Sequence, residues 1–196
     1  MNIKYHIIIQ TLLISFFVLT LHACCSSILT IGSAALITTT WNDPRTIGTQ
    51  LDDSILKAHI AHALHKNQHI KKSSRIKSTV YQGNVLLTGQ TSSISIAEEA
   101  IQIVMQINGT KNIYNAIRQN TPICTRSILI DIWISSQIRL NLFIKKGINT
   151  ANIKIITENK EVFLLGIVTH EENKYTKKIA NSVNGVKNVF TVFSYT

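Results

Sequence analysis

The sequence predicts an α+β protein of two tandem α-β-β-α-β units, each a small mixed three-stranded sheet with two helices on one face. Three observations predict it. VYQGNVLLTGQ (80–90) and TENKEVFLLGIV (157–168) each run from a polar turn through a short β-rich apolar stretch to a Gly. INGTKNIYNAI (107–117) and VNGVKNVFTVF (183–193) each run from Asn-Gly through Lys-Asn into an alternating apolar strand. The spacings agree: Gly89 to Gly109 is 20 positions, Gly166 to Gly185 is 19, and the copies are offset by 76 or 77. A repeat at a fixed offset marks a tandem duplication of one structural unit.

Each element follows in order. The first unit opens with an amphipathic helix over about 51–66, where Leu56, Ile60, Ala63 and Leu64 form one apolar stripe. The second unit opens with a helix over about 128–144, whose matching stripe is Ile134, Ile138 and Leu142, with Asn141 in the place of Ala63 when Asp53 is aligned with Asp131. A strand, a tight turn and a second strand follow, about 74–80 with 84–90 and about 152–157 with 161–168. A second helix comes next, about 93–107 and 170–183; in the first copy it carries Ile96, Ala100, Ile103, Val104 and Ile107 at helical spacing. Asn-Gly stops that helix, and a strand closes the unit, about 111–118 and 187–194. The organisation expected is a unit over 52–121, a linker over 122–129 marked by Pro122, and a unit over 130–196. About seventy residues per unit suffices for a core without staples.

The N-terminus sets the compartment. A single Lys4 precedes an apolar run from Ile7 to Leu21, too short and too abruptly ended to suit a spanning helix. The run ends in Leu21-His22-Ala23-Cys24, which resembles a bacterial lipobox, the signal for cleavage before a cysteine that is then acylated. Ala23 and Leu21 suit their places and His22 is unusual there. Cys25 is the competing site, and an uncleaved anchor helix is the other reading. The expectation is a lipoprotein signal peptide over 1–23, lipidation at Cys24, and a tether over 24–51 rich in small residues. Burying acyl chains stabilises the anchored state by about 0.8 kcal/mol per CH₂, so more than one chain holds firmly.

Twenty Lys and Arg against ten Asp and Glu give a formal net charge of +10. Cleavage removes Lys4 only and leaves +9, from 19 basic and 10 acidic residues. Such a balance favours an acidic partner. In the bacterial envelope that partner is anionic lipid and not nucleic acid. Of the three cysteines, Cys25 and Cys124 are far apart in sequence and lack a C-x-x-C spacing, so a disulfide between them stays open.

The residues point to binding rather than to catalysis. No G-x-S-x-G, P-loop or H-E-x-x-H is present. The acidic pairs Asp52-Asp53 and Glu171-Glu172 fall at expected helix starts, where carboxylates favour the dipole. His59, His62, His65 and His69 cluster on or just after the first helix but drift around it, with no Cys or carboxylate to complete a metal site. A solvated face that gains charge below about pH 6.5 is the expectation. Nothing calls for a metal or cofactor.

DPRTIGTQLDD (43–53), YQGNVLLTGQ (81–90), YNAIRQ (114–119) and TENKEVFLLGIVT (157–169), set in two α-β-β-α-β units behind a lipobox, resemble the dual-BON-domain outer-membrane lipoproteins of the BON family. The resemblance covers nearly the whole mature chain. It implies a lipid-anchored protein on the outer membrane, facing the periplasm and enriched at the division septum. It implies binding of anionic phospholipid, phosphatidylglycerol in particular, through the second domain. It also implies a role in outer-membrane integrity and a link to cell-wall amidase regulators during cell separation, and no enzyme activity.

ILIDIWISSQIRLNLFI (128–144) carries a second apolar stripe: Leu129, Trp133, Leu140 and Ile144. Their counterparts in the first helix are Leu51, Ile55, His62 and Lys66. One stripe is enough for packing within a unit, so the second is surplus and marks a partner. Trp suits a membrane interface, and Arg126, Arg139, Lys145 and Lys146 lie near enough to meet lipid phosphates. The family resemblance puts Trp133 on the lipid-contacting helix. Two readings stand: the stripe meets anionic lipid, or it packs against the first unit.

Overall fold

Residues 45–145 and 149–196 are described by a computed structural model. The signal peptide, Cys24, Cys25, the tether up to residue 44, and Lys146 lie outside the described residues.

Helix α1 spans Ile47–Lys66, with Thr46 as its cap accepting the Thr49 N–H at 3.1 Å. It starts before the expected 51 because Gly48 and Gln50 interrupt the apolar pattern there without interrupting the backbone. A short helix α2, Gln68–Ser73, was not legible from periodicity; the Asn67 side chain caps it through His69 and Ile70. Strands β1 (Ser74–Tyr81) and β2 (Asn84–Thr91) form a hairpin, helix α3 runs Ile94–Met105, and β3 (Asn112–Gln119) closes the first domain. The second domain repeats the order: α4 (Thr125–Ile144), a 3₁₀ turn (Thr150–Asn152), β4 (Ile153–Glu158), β5 (Glu161–Val168), α5 (His170–Ser182) and β6 (Asn188–Tyr195). Glu171-Glu172 does open α5, and Glu172 forms a capping box with Thr169.

Each sheet is ordered β1-β2-β3 or β4-β5-β6, with the hairpin pair antiparallel and the last pair parallel. The parallel pair needs a crossover, and α3 or α5 supplies it. One face of each sheet is covered by its own helices. Leu56, Ile60 and Leu64 of α1 meet Val85 and Leu87 of β2, and Ile134, Ile138 and Leu142 of α4 meet Val162 and Leu164 of β5.

The opposite faces pack on each other. Tyr81, Leu86 and Ala116 of the first sheet form one cluster with Phe163 and Leu165 of the second, and Ile156, Ile167 and Val192 border it. The result is a layered order of helices, sheet, sheet, helices. Polar contacts frame this apolar centre. Arg75 and Gln90 of the first domain both donate to the buried Glu158 carboxylate of the second, Gln90 at 2.8 Å, and Lys77 stands 3.8 Å away. At another edge Arg118 donates to Glu161 at 3.0 Å and lies over the Phe190 ring.

One expectation needs correction. Asp53 does not stand at a helix start. It lies two turns inside α1, buried, and accepts the backbone N–H groups of Gln82 and Gly83 at 2.7 and 2.9 Å. Its third partner is Arg45 at 2.7 Å, whose guanidinium also covers the Tyr81 ring. Sequence spacing could not foresee a carboxylate that serves a turn about 30 residues away.

Candidate functional site

Helix α4 positions the surplus stripe. Asp131, two turns inside the helix, ties it to the β4–β5 turn by accepting the Asn159 and Lys160 N–H groups, both at 2.8 Å. Ile134, Ile138 and Leu142 are completely buried against the sheet. With that side fixed, a rotation of about 100° per residue leaves the other side outward. Leu129, Trp133, Leu140 and Ile144 are all exposed, Trp133 at 50% and Ile144 at 69%. The first domain does not cover them, because the domains meet through their sheets and α4 lies on the outside of its own.

Two residues outside the expected stripe belong to the same outward side: Ile132, and Phe143 at 77% exposure. Their signal was present in the sequence. Residues 129, 132, 133, 136, 140, 143 and 144 recur every three or four positions, and only Ser136 is polar. Helix α4 is also long and apolar enough, by length and composition, to cross a bilayer, but its buried stripe is the core of the second domain.

Positive charge borders this surface. Arg126 and Arg139 are exposed on α4, and Lys145, just past its end, holds its ammonium 5.7 Å from the Tyr175 ring centre. The equivalent side of α1 is different. Its first half is apolar, with Leu51 and Ile55 exposed, but its second half presents His59, His62, His65 and Lys66 to solvent. The duplicated fold therefore tolerates either chemistry at this face, and only α4 carries the apolar version along its full length.

The histidines do not converge. His69 pairs with Glu99 at 3.2 Å, and Asn67 donates to the same carboxylate at 2.6 Å. The Asn67 hydrogen bond, then the His69 one, holds Glu99 below its ordinary carboxylate pKa. Cys124 is exposed beside the start of α4, and hydrogen bonding from the Ser127 hydroxyl, then from its backbone N–H, lowers its thiol pKa.

The chain resembles known proteins over most of its length. It is 34% identical to the outer membrane lipoprotein DolP of Haemophilus influenzae, over 84% of this chain and 86% of the relative. It is 37% identical to a 21 kDa hemolysin of Actinobacillus pleuropneumoniae, over 78% and 79% of the two chains. The osmotically-inducible protein Y of Escherichia coli is 27% identical over 73% of this chain and 72% of its own. The BON domain family matches twice, over residues 52–121 and 131–195. Each match spans one of the two α-β-β-α-β units, complete with its turn-binding aspartate and its crossover helix, and the chain belongs to the BON domain family.

Proposed function

We propose that this chain is an envelope lipoprotein, anchored at Cys24 in the outer membrane and facing the periplasm, whose second domain binds anionic phospholipid through the outward side of α4. Phosphatidylglycerol is the lipid expected. On this reading the protein binds and does not turn over a substrate, and it supports outer-membrane integrity and cell separation at the division septum. The observation that carries the reading is the uncovered apolar side of α4, where Trp133, Leu129, Leu140 and Ile144 stand exposed beside Arg139 and Lys145. Exposed apolar surface rimmed by charge marks a contact site. Each Lys or Arg near an anionic surface adds about 1 kcal/mol, and Lys146 would extend the rim. The relative named an outer membrane lipoprotein supports the compartment.

Co-sedimentation tests it. Residues 26–196, without the lipid, are mixed with vesicles rich in phosphatidylglycerol or purely zwitterionic, beside the Trp133→Glu variant. Binding only to anionic vesicles, lost in the variant, is the expected result. Failure of the wild type to bind would leave Cys24 as the membrane contact. The same face would then serve a protein, for which a regulator of cell-wall amidases is the alternative partner.

A further inference from the structure

The first sheet has a free backbone edge. Strand β1 has β2 on one side only. The two-residue turn Gln82-Gly83, both at positive φ, makes Tyr81 and Asn84 a hydrogen-bonded pair. Alternation from that pair gives the backbone groups of Lys77 and Thr79 to β2 and turns those of Ile76, Ser78 and Val80 away from it. The Lys154 ammonium reaches the Val80 carbonyl from that open side, at 3.2 Å. Among the described residues, the backbone N–H and C=O groups of Ile76 and Ser78 have no partner.

A cavity of about 690 Å³ lies against this edge. The unbroken run Ser74–Thr79 of β1 lines it, and Ile155–Glu158 of β4 face that run. Consecutive strand residues point their side chains to opposite faces. A cavity touching all six therefore follows the edge of the strand and not one face of the sheet. Six strand residues span about 20 Å. A free backbone edge beside open space is a template for one more strand.

Charge selects the strand. An added strand would point its side chains alternately to the two faces. On the face that α1 covers, where Ile76 and Val80 lie, it would meet Lys57 of α1 and Lys71 of α2. On the face turned to the second sheet, where Tyr81 lies, it would meet Lys77. Lys57 and Lys71 belong to no ion pair among the described residues. Lys77 is 3.8 Å from Glu158, a carboxylate already taken by Arg75 and by Gln90 at 2.8 Å. Lysines along a strand edge repel a second copy of that edge and favour a strand that carries carboxylates. The chain's own tether fits this charge poorly, since residues 24–44 hold Asp43 as their one acid.

We infer that β1 is a docking edge for an extended acidic segment of another protein, which adds to the first sheet as a fourth strand. The outward side of α4 takes no part, so this site stands or falls separately from membrane binding.

The test follows backbone amide NMR shifts and amide hydrogen exchange in residues 26–196, which contain the whole described fold. The probe is the blocked peptide Thr-Glu-Glu-Val-Glu-Glu-Thr, which offers carboxylates to both faces. One control replaces each Glu by Lys. Another keeps the side chains and methylates alternate backbone nitrogens, which blocks strand pairing. Saturable shifts at Ile76 and Ser78, with slowed exchange of both amides, are expected with the acidic peptide alone. The Lys57→Gln/Lys71→Gln/Lys77→Gln variant should bind it roughly tenfold more weakly, three ion pairs being lost together, with its other amide signals unchanged. Trp133→Glu should bind as the wild type does. Absence of shifts with the acidic peptide overturns the inference. So does an equal response to the methylated peptide, which would show attraction of charge without strand addition, or binding unchanged in the lysine variant. Protection of Ile76 and Ser78 before any peptide is added also overturns it: the edge would then be taken by a second copy if protection rises with protein concentration, and by the tether if it does not.

Discussion

The carboxylate of Asp131 accepts the backbone N–H of Lys160 at 2.8 Å, and Lys160 has φ of +67°. Asn159 before it has φ of +51°, so two successive left-handed residues form the β4–β5 turn. Neither is a glycine. Their N–H groups point the same way, and Asp131 receives both. Asp53 does the same for Gln82 and Gly83 in the first domain. In each domain this contact ties the opening helix to the hairpin and sets which side of the helix faces out. The orientation of the apolar side of α4 depends on it.

Asp131→Ala should therefore destabilise the second domain by about 3 kcal/mol, the scale of two hydrogen bonds to a buried charged acceptor. Lys160→Gly should stabilise it by about 1 kcal/mol, because glycine carries no penalty for a left-handed backbone. Denaturant unfolding of each variant measures both. Equal stability of Asp131→Ala and wild type would contradict the anchoring role.

Glu158 is the polar centre of the domain interface. Its carboxylate is 7% exposed, and Arg75 and Gln90 both reach it across the interface. Glu158→Ala strands Arg75 and should cost about 3 kcal/mol. Arg75→Met combined with Glu158→Leu should recover only part of that, since the apolar pair needs no counter-charge but the buried Gln90 amide still loses its acceptor. A double-mutant cycle by urea unfolding reads the coupling.

Two glycines with positive φ should respond differently to alanine. A Cβ at Gly89 would sit 1.8 Å from the Arg75 carbonyl oxygen, so the β1–β2 pairing cannot accept one. At Gly109 the nearest atom is Leu56 Cδ2 at 3.8 Å, which leaves only the backbone penalty. Gly89→Ala should cost about 3 kcal/mol and Gly109→Ala about 1 kcal/mol. Thermal melts of the two variants would reveal the ranking, and a reversed order would refute it.

Glu99 gives a pH dependence of known sign. Hydrogen bonds from Asn67 and His69 lower its pKa in the folded chain. Its stabilisation is present above the ordinary carboxylate value of about 4.3 and is lost as pH falls through the lower folded value. Glu99→Gln should therefore lower the melting temperature at pH 6, and the difference should close in strong acid. A difference that widens on acidification would show the opposite sign.

The duplication, the order of elements apart from α2, and the buried stripe of each opening helix were legible in the residues themselves. These are local: Ile134, Ile138 and Leu142 recur at helical spacing whatever surrounds them. The second stripe of α4 was there too, Ile132 and Phe143 included, since each stands three positions after another member, Leu129 and Leu140 respectively. The runs VLLTG and VFLLG were apolar on both strand faces, which is the mark of a sheet buried on both sides. They did not say what would cover the second face. That the sheets cover each other is a matter of long-range packing, which pairs residues such as Tyr81 and Phe163 that no periodicity connects. The same limit hid the roles of Asp53 and Glu158. A charge inside a helix or at a strand end reads as solvated until the fold brings it a distant backbone turn or the arginine of another domain.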